Sequence, residues 1–210
     1  MTRREKYRRL YDLLYAEYGD CVCPLEHASA FQLVAAVMLS AQCRDERVNQ
    51  VTKQLFAVAP DADAMSRLTP EAIEKLIRPC GLSVNKSRNL HACAAMIVNE
   101  FSGTVPREME QLIRLPGIGR KSANVILGNV FGIPGFPVDT HVRRLLNRIG
   151  MVDSDSPEAI EVDVDRATPP ELWTNFSHLL IRHGREVCSS RSPKCGRCVL
   201  AACCGKRGVK

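Results

Sequence analysis

Two stretches of the chain carry reactive residue types at spacings that permit chemistry. In the carboxyl-terminal loop, Cys188, Cys195, Cys198 and Cys204 follow the pattern C-x6-C-x2-C-x5-C. Four thiolates within seventeen residues can wrap one soft metal centre. Zinc also accepts four cysteines, but it usually takes them as two close pairs, and here only Cys195 and Cys198 stand that close. Cys203, adjacent to Cys204, competes for the fourth position. Arg191, Lys194 and Arg197 are interleaved with the thiols.

The second stretch is LIRLPGIGRKSANVI, residues 112–126. Gly117 and Gly119 flank Ile118, which allows a tight turn with outward-facing amides and an apolar plug into the core. A helix starting at about Arg120 adds its positive end. Together these form an anion site suited to a phosphate, with no base being read. The alternative is a plain corner between two helices. A nucleotide-binding phosphate loop is excluded, because that motif places Gly directly before Lys-Ser and this chain has Arg120. Lys121 falls in the first helical turn, where the positive helix end and Arg120 favour release of its proton and hence a nucleophilic amine. Lysine is also a common phosphate contact, and residue chemistry alone favours that role. In Val138-Asp139-Thr140-His141, Asp139 serves equally as a helix cap or as a catalytic carboxylate. His141 reads as a hydrogen-bonded structural residue or a phosphate contact. Arg143, Arg144 and Arg148 line the helix that follows.

The elements that must position these residues are helical. Tyr7, Leu10, Tyr11, Leu14 and Tyr18 recur at three- and four-residue steps, with Gly19 placed to stop the helix. Phe31, Val34, Ala35, Met38 and Leu39 repeat the pattern, and the charge-free stretch Ala28 to Cys43 reads as a buried helix. Thr69-Pro70-Glu71 and Ser156-Pro157-Glu158 each give a cap, a proline at the first helical position and an acid in the first turn. Thr168-Pro169-Pro170-Glu171 is expected to open another helix. No segment alternates with the two-residue period of a strand, so the fold class is all-α. Residues 132–137, GIPGFP, mark a joint between two domains.

Hydrophobic residues at 45% and charged residues at 25% exclude a largely disordered chain. A net charge of +6 leans towards a polyanionic partner, while aromatics at 5% argue against a surface that stacks many bases. Residues 151–171 are acidic and residues 178–210 basic. The basic start MTRREKYRRL is followed by Asp12 and Glu17 rather than an apolar core, so neither export nor a membrane partner is expected. The ten cysteines are then reduced thiols or metal ligands of a cytoplasmic protein.

The combination of LPGIGRKSANV, PVDTH and the four-Cys loop, together with LSAQCRDERVN and CGLSVNKSRNL, resembles the endonuclease III family over nearly the whole chain. Those enzymes are bifunctional glycosylases of oxidised pyrimidines in DNA. The resemblance implies two helical domains flanking a DNA-binding cleft. One is a six-helix domain, residues 24–135, with a helix-hairpin-helix at about 112–131. The other joins residues 1–23 to 136–210 and carries a [4Fe-4S] cluster. Lys121 matches the amine that attacks the deoxyribose C1′, Asp139 the assisting carboxylate, and Cys188, Cys195, Cys198 and Cys204 the cluster ligands. Gln42 and Leu82 match the side chains that fill the vacated base stack. Gly117, Ile118, Gly119, Arg120, His141, Arg144, Arg191 and Lys194 are the further expected DNA contacts. The implied partner is damaged double-stranded DNA, met by a monomer in a bacterial-type cytoplasm at the nucleoid, with no divalent cation in the chemistry. Adenine glycosylases of this superfamily carry Glu near Ala36, and thymine-mismatch relatives tend to replace the lysine by Tyr, so Ala36 and Lys121 speak against both. Lys121 and Asp139 also speak against a non-catalytic DNA-binding module. The sequence departs from the family's Ser-Ala-Gln-x-Thr-Asp by placing Arg44 before Asp45, a change that bears on substrate range.

Overall fold

The computed structural model describes residues 1–209, and every regular element among them is helical. In chain order the α-helices are α1 (Arg3–Tyr18), α2 (Ala30–Leu39), α3 (Asp45–Val58), α4 (Ala62–Arg67), α5 (Pro70–Ile77), α6 (Ser83–Phe101), α7 (Met109–Leu112), α8 (Arg120–Val130), α9 (Thr140–Ile149), α10 (Pro157–Ala167) and α11 (Trp173–Glu186). Short 3₁₀ turns cover Arg78–Cys80, Pro170–Leu172, Cys195–Arg197 and Ala201–Cys203. The chain divides into two compact units, one of residues 23–133 and one joining residues 1–22 to 134–210.

The 23–133 unit holds α2 to α8, with α2 at its centre. Eight of the ten residues of α2, from Phe31 and Leu33 to Leu39, are buried. An all-round apolar helix of this kind belongs inside a core. Helices α3, α6 and α8 pack against it, and α4 and α5 pack on α6. The helix is shorter than the charge-free stretch suggests. Ser29 caps its start by accepting from the Gln32 amide at 3.2 Å, and the chain turns at Ser40 rather than continuing to Cys43. Thr69 accepts from the Ala72 amide at 3.2 Å, so the Thr-Pro-Glu signal does open α5.

Helix α3 begins differently. Arg44 occupies its cap position with extended backbone but makes no side-chain cap bond. Asp45 and Glu46 in the first turn complement the positive helix end instead. Arg44→Thr restores a capping oxygen and is expected to stabilise the protein by about 1 kcal/mol. Denaturant unfolding checks this, and an unchanged midpoint would show that the cap contributes nothing here.

In the other unit, α1 packs on α10 and α11, and α9 packs on α11. Phe176 of α11 meets the rings of Tyr7 at 6.3 Å, Tyr11 at 5.7 Å and Phe136 at 5.7 Å. The amino-terminal helix is thus joined to chain more than a hundred residues away. Polar ties add direction, as Tyr7 donates to Asp163 Oδ2 at 2.6 Å and Arg3 grips the same carboxylate. Thr168 does not open a helix. Its hydroxyl donates back to the Val164 carbonyl at 2.8 Å and closes α10, the indole of Trp173 donates to its oxygens, and α11 starts only after the 3₁₀ turn at Pro170. The hydroxyl is spent on that backward bond, and the Pro170 position carries no amide for it to cap. No helix among the described residues is long and apolar enough to cross a membrane.

Candidate functional site

The turn between α7 and α8 is built as its residue types demand. Leu112, Leu115 and Ile118 are buried, and the Ile118 amide donates to the Leu115 carbonyl at 3.0 Å. Gly117 has φ +84°, and a Cβ there would lie 2.7 Å from the tip of Met38 and 3.2 Å from Asn89. The positive φ calls for glycine, and a Cβ would in addition displace the Met38 tip and press on Asn89. Gly119 is the contrary case. Its φ is −100° and a Cβ would meet nothing within 4 Å, so the fold itself makes no demand for glycine at this exposed position. It caps α8 without a side chain, leaving the helix start open to an external anion. Arg120 and Lys121 follow in the first turn, both exposed.

Asp139 is the cap of α9. Its Oδ1 accepts the amides of His141 and Val142, each at 2.8 Å, and Oδ2 has no hydrogen-bond partner among the described residues. One oxygen thus fixes the carboxylate while the other is available. His141 is half-buried, which pushes its pKa down, and its Nδ1 lies 3.1 Å from Arg144. Arg144, expected among the DNA contacts, turns inward instead. Its fork donates to the Cys188 carbonyl at 2.9 and 3.1 Å and to the Gly184 carbonyl at 2.9 Å. It fastens the first cysteine of the loop to α9 and α11.

The four-Cys loop is held by groups that sequence reasoning missed. Arg148 donates to the carbonyls of Ser189 and Ser190, each at 2.6 Å, and lies 3.6 Å from Cys188 Sγ. The amides of Gly205 and Arg207 clip onto the last carbonyls of α9 at 3.0 and 2.9 Å. His183 is 1% exposed, and its Nε2 lies 3.3 Å from Cys198 Sγ while Nδ1 meets the Tyr18 hydroxyl at 2.9 Å. Burial pushes this imidazole down to about 4, so it is neutral at pH 7 and holds one ring proton. The only signal in the sequence is a histidine between arginine and glycine one turn before Cys188. Nothing there marks it as internal.

Among the described residues, no group of three or more His, Cys, Asp or Glu side chains is gathered closely enough to hold a metal ion. The thiols are nevertheless neighbours, as Cys198 lies within electrostatic reach of Cys188, Cys204 and Cys195. Cys203 faces elsewhere. Its thiol donates to the Leu200 carbonyl at 3.3 Å and lines a cavity of about 270 Å³ beside Lys6 and Arg9 of α1. Of the adjacent pair, Cys204 is the one turned to the other thiols. Around them Lys194 donates to the Glu186 carbonyl at 3.1 Å, and Arg191 is exposed.

Gln42 and Leu82 share an unusual conformation. Their φ values are +54° and +50°, the left-handed region that costs a residue with a Cβ roughly 1–2 kcal/mol. Gln42 is exposed in the turn between α2 and α3, and Leu82 is 54% exposed at the start of α6. Leu82 is therefore not a core residue, and Gln42 caps no helix. Ala36, by contrast, is wholly buried in α2.

Comparison with known proteins places this geometry. The HhH-GPD superfamily of base excision DNA repair proteins matches residues 35–170. An endonuclease III of Synechocystis is 43% identical over 204 residues, spanning 97% of this chain and 93% of the relative. The solved structure of a non-covalent endonuclease III–DNA complex superposes with a TM-score of 0.93 at 38% identity, covering 98% of this chain and 97% of that one. A trapped endonuclease III–DNA covalent intermediate, an estranged-adenine complex, gives the same TM-score, identity and coverage. The chain therefore belongs to the HhH-GPD superfamily of base excision DNA repair proteins and, within it, to the endonuclease III family of DNA glycosylases with AP lyase activity.

Proposed function

We propose that this enzyme extrudes an oxidised pyrimidine from duplex DNA, with Lys121 as nucleophile and Asp139 as the assisting carboxylate. The observation that carries the reading is an exposed lysine in the first turn of a helix whose capping glycine is demanded by nothing inside the chain. Atoms at C1′ are out of reach within the stack, so the nucleotide must first leave it. The Lys121 amine attacks C1′, the bond to the base breaks and the base leaves with a proton. The opened sugar is then held as an imine on Nζ, which acidifies C2′. Loss of the C2′ proton expels the 3′ phosphate and cuts the strand. The turn at Gly117 to Gly119 and the Arg120 guanidinium hold backbone phosphate in register for this chemistry, and Arg191 and Lys194 are further phosphate contacts. Gln42 and Leu82 take the place of the extruded nucleotide, one offering a donor and an acceptor to the orphaned base and the other an apolar wedge. Arg44, exposed two residues after Gln42, adds a cation on the lesion side that sets the substrate range.

Cys188, Cys195, Cys198 and Cys204 would hold a [4Fe-4S] cluster. The nearness of Cys188, Cys195 and Cys204 to Cys198, the Arg148 guanidinium beside Cys188 Sγ and the His183 ring nitrogen beside Cys198 Sγ suit an anionic cluster. Bound there, the cluster supplies a rigid centre for the basic loop, and no step of the reaction passes through it.

The test is excision from a thymine-glycol duplex, followed with Asp139→Asn. Asparagine caps a helix as well as aspartate does, so folding and DNA binding are expected to persist. Base release is expected to slow on the order of 10²-fold through loss of the carboxylate charge. Unchanged turnover would reduce Asp139 to a cap, and no release of thymine glycol by the unaltered enzyme would remove the proposed substrate class.

A further inference from the structure

Lys86 is a buried cation that the chemistry above does not use. It sits in the first turn of α6, is 6% exposed, and burial lowers its pKa. Its Nζ donates to the Leu39 carbonyl at 2.9 Å and to the Cys80 carbonyl at 3.0 Å. Leu39 is the last residue of α2 and lies three residues before Gln42, while Cys80 closes the 3₁₀ turn two residues before Leu82. Both carbonyls stand at helix ends, where they lack a partner within the helix and carry the negative end of its dipole. Neither partner is a carboxylate, so the ammonium is buried against neutral acceptors alone. An apolar side chain of the same length would fill the space without that desolvation. What the ammonium adds is direction, because three donors on one atom fix two separate carbonyls at one distance.

We propose that Lys86 is the positioning residue for duplex opening: it ties the turn presenting Gln42 to the turn presenting Leu82 and so sets the separation of the two side chains. Backbone strain supports this, since left-handed residues with side chains persist only where their surroundings over-determine them. Two further contacts flank the same turns. The Cys43 thiol, next to Gln42, lies within electrostatic reach of the Cys80 thiol. The Ser83 hydroxyl, next to Leu82, donates to Glu74 Oε1 at 3.3 Å. The inference rests on the reading of Gln42 and Leu82 as duplex-entering residues, and Lys86 itself touches no DNA.

The experiment compares Lys86→Met, Leu82→Ala, Gln42→Ala and the Lys86→Met/Leu82→Ala double variant on two probes. One is a duplex containing thymine glycol, which must be opened. The other is a single-stranded oligonucleotide with an abasic site, which need not be. Lys86→Met is expected to lose about tenfold or more on the duplex while staying within twofold on the single strand. The double variant is expected to lose less than the product of the two single losses, because Lys86 acts in part through Leu82. An equal loss on both probes, or additive losses in the double variant, would overturn the proposal. Should Lys86→Met fail to fold, Lys86→Gln, which keeps one carbonyl contact, is expected to show a smaller loss confined to the duplex, and a uniform loss would count against the idea. If Leu82→Ala and Gln42→Ala show no duplex-specific loss, the underlying reading falls and this proposal with it. If they do and Lys86→Met does not, only this proposal falls.

Discussion

Lys121→Ala is expected to abolish strand cleavage at abasic sites, with turnover falling by on the order of 10³-fold or more, as for removal of a covalent nucleophile elsewhere. The side chain is exposed and contributes nothing to the core, so stability should change by no more than about 0.5 kcal/mol. DNA binding should persist, because the phosphate site is made of backbone at the turn and at the start of α8. The expected signature is therefore a folded, DNA-binding protein that forms no borohydride-reducible adduct. Strand cleavage at the unaltered rate would show that Lys121 is only a phosphate contact, the role that residue chemistry alone favours.

Cys204→Ser is expected to lose the cluster, and Cys203→Ser to keep it. The two thiols are adjacent in sequence, but Cys203 faces α1 and the Leu200 carbonyl while Cys204 lies with Cys198. Protein with Cys203→Ser should be yellow-brown with about four irons per chain, the content of a cubane site. Protein with Cys204→Ser should be pale, with iron well below that. The reverse pattern would make Cys203 the ligand, and stoichiometric zinc in the unaltered protein would make the site a zinc site.

The sequence was most legible where one residue type has one physical use. Gly-Ile-Gly before Arg120 located the start of α8 and the buried plug at Ile118, because the positive φ of the turn falls on Gly117 and the next residue points into the core. The Thr-Pro-Glu and Ser-Pro-Glu signals located α5 and α10 for the same reason. Thr168 failed because the same residue type can end a helix by bonding back to the preceding turn. Cations were the least legible. Arg144 and Lys86 look like any basic residue on a polar helix face, and their inward turn depends on carbonyls brought from more than forty residues away. Cys188 and Leu39 supply those carbonyls, and no local pattern announces them. The left-handed backbone at Gln42 and Leu82 was equally hidden, since neither residue type favours it and the surrounding ties impose it.

One amine is expected to do the chemistry. Reduction with borohydride during turnover of a thymine-glycol duplex, followed by digestion and mass spectrometry of the protein–DNA adduct, identifies the residue that carries the deoxyribose. A single adduct is expected, on the peptide containing Lys121. An adduct on the amino terminus or on another lysine, or no adduct while the strand is still cleaved, would contradict it.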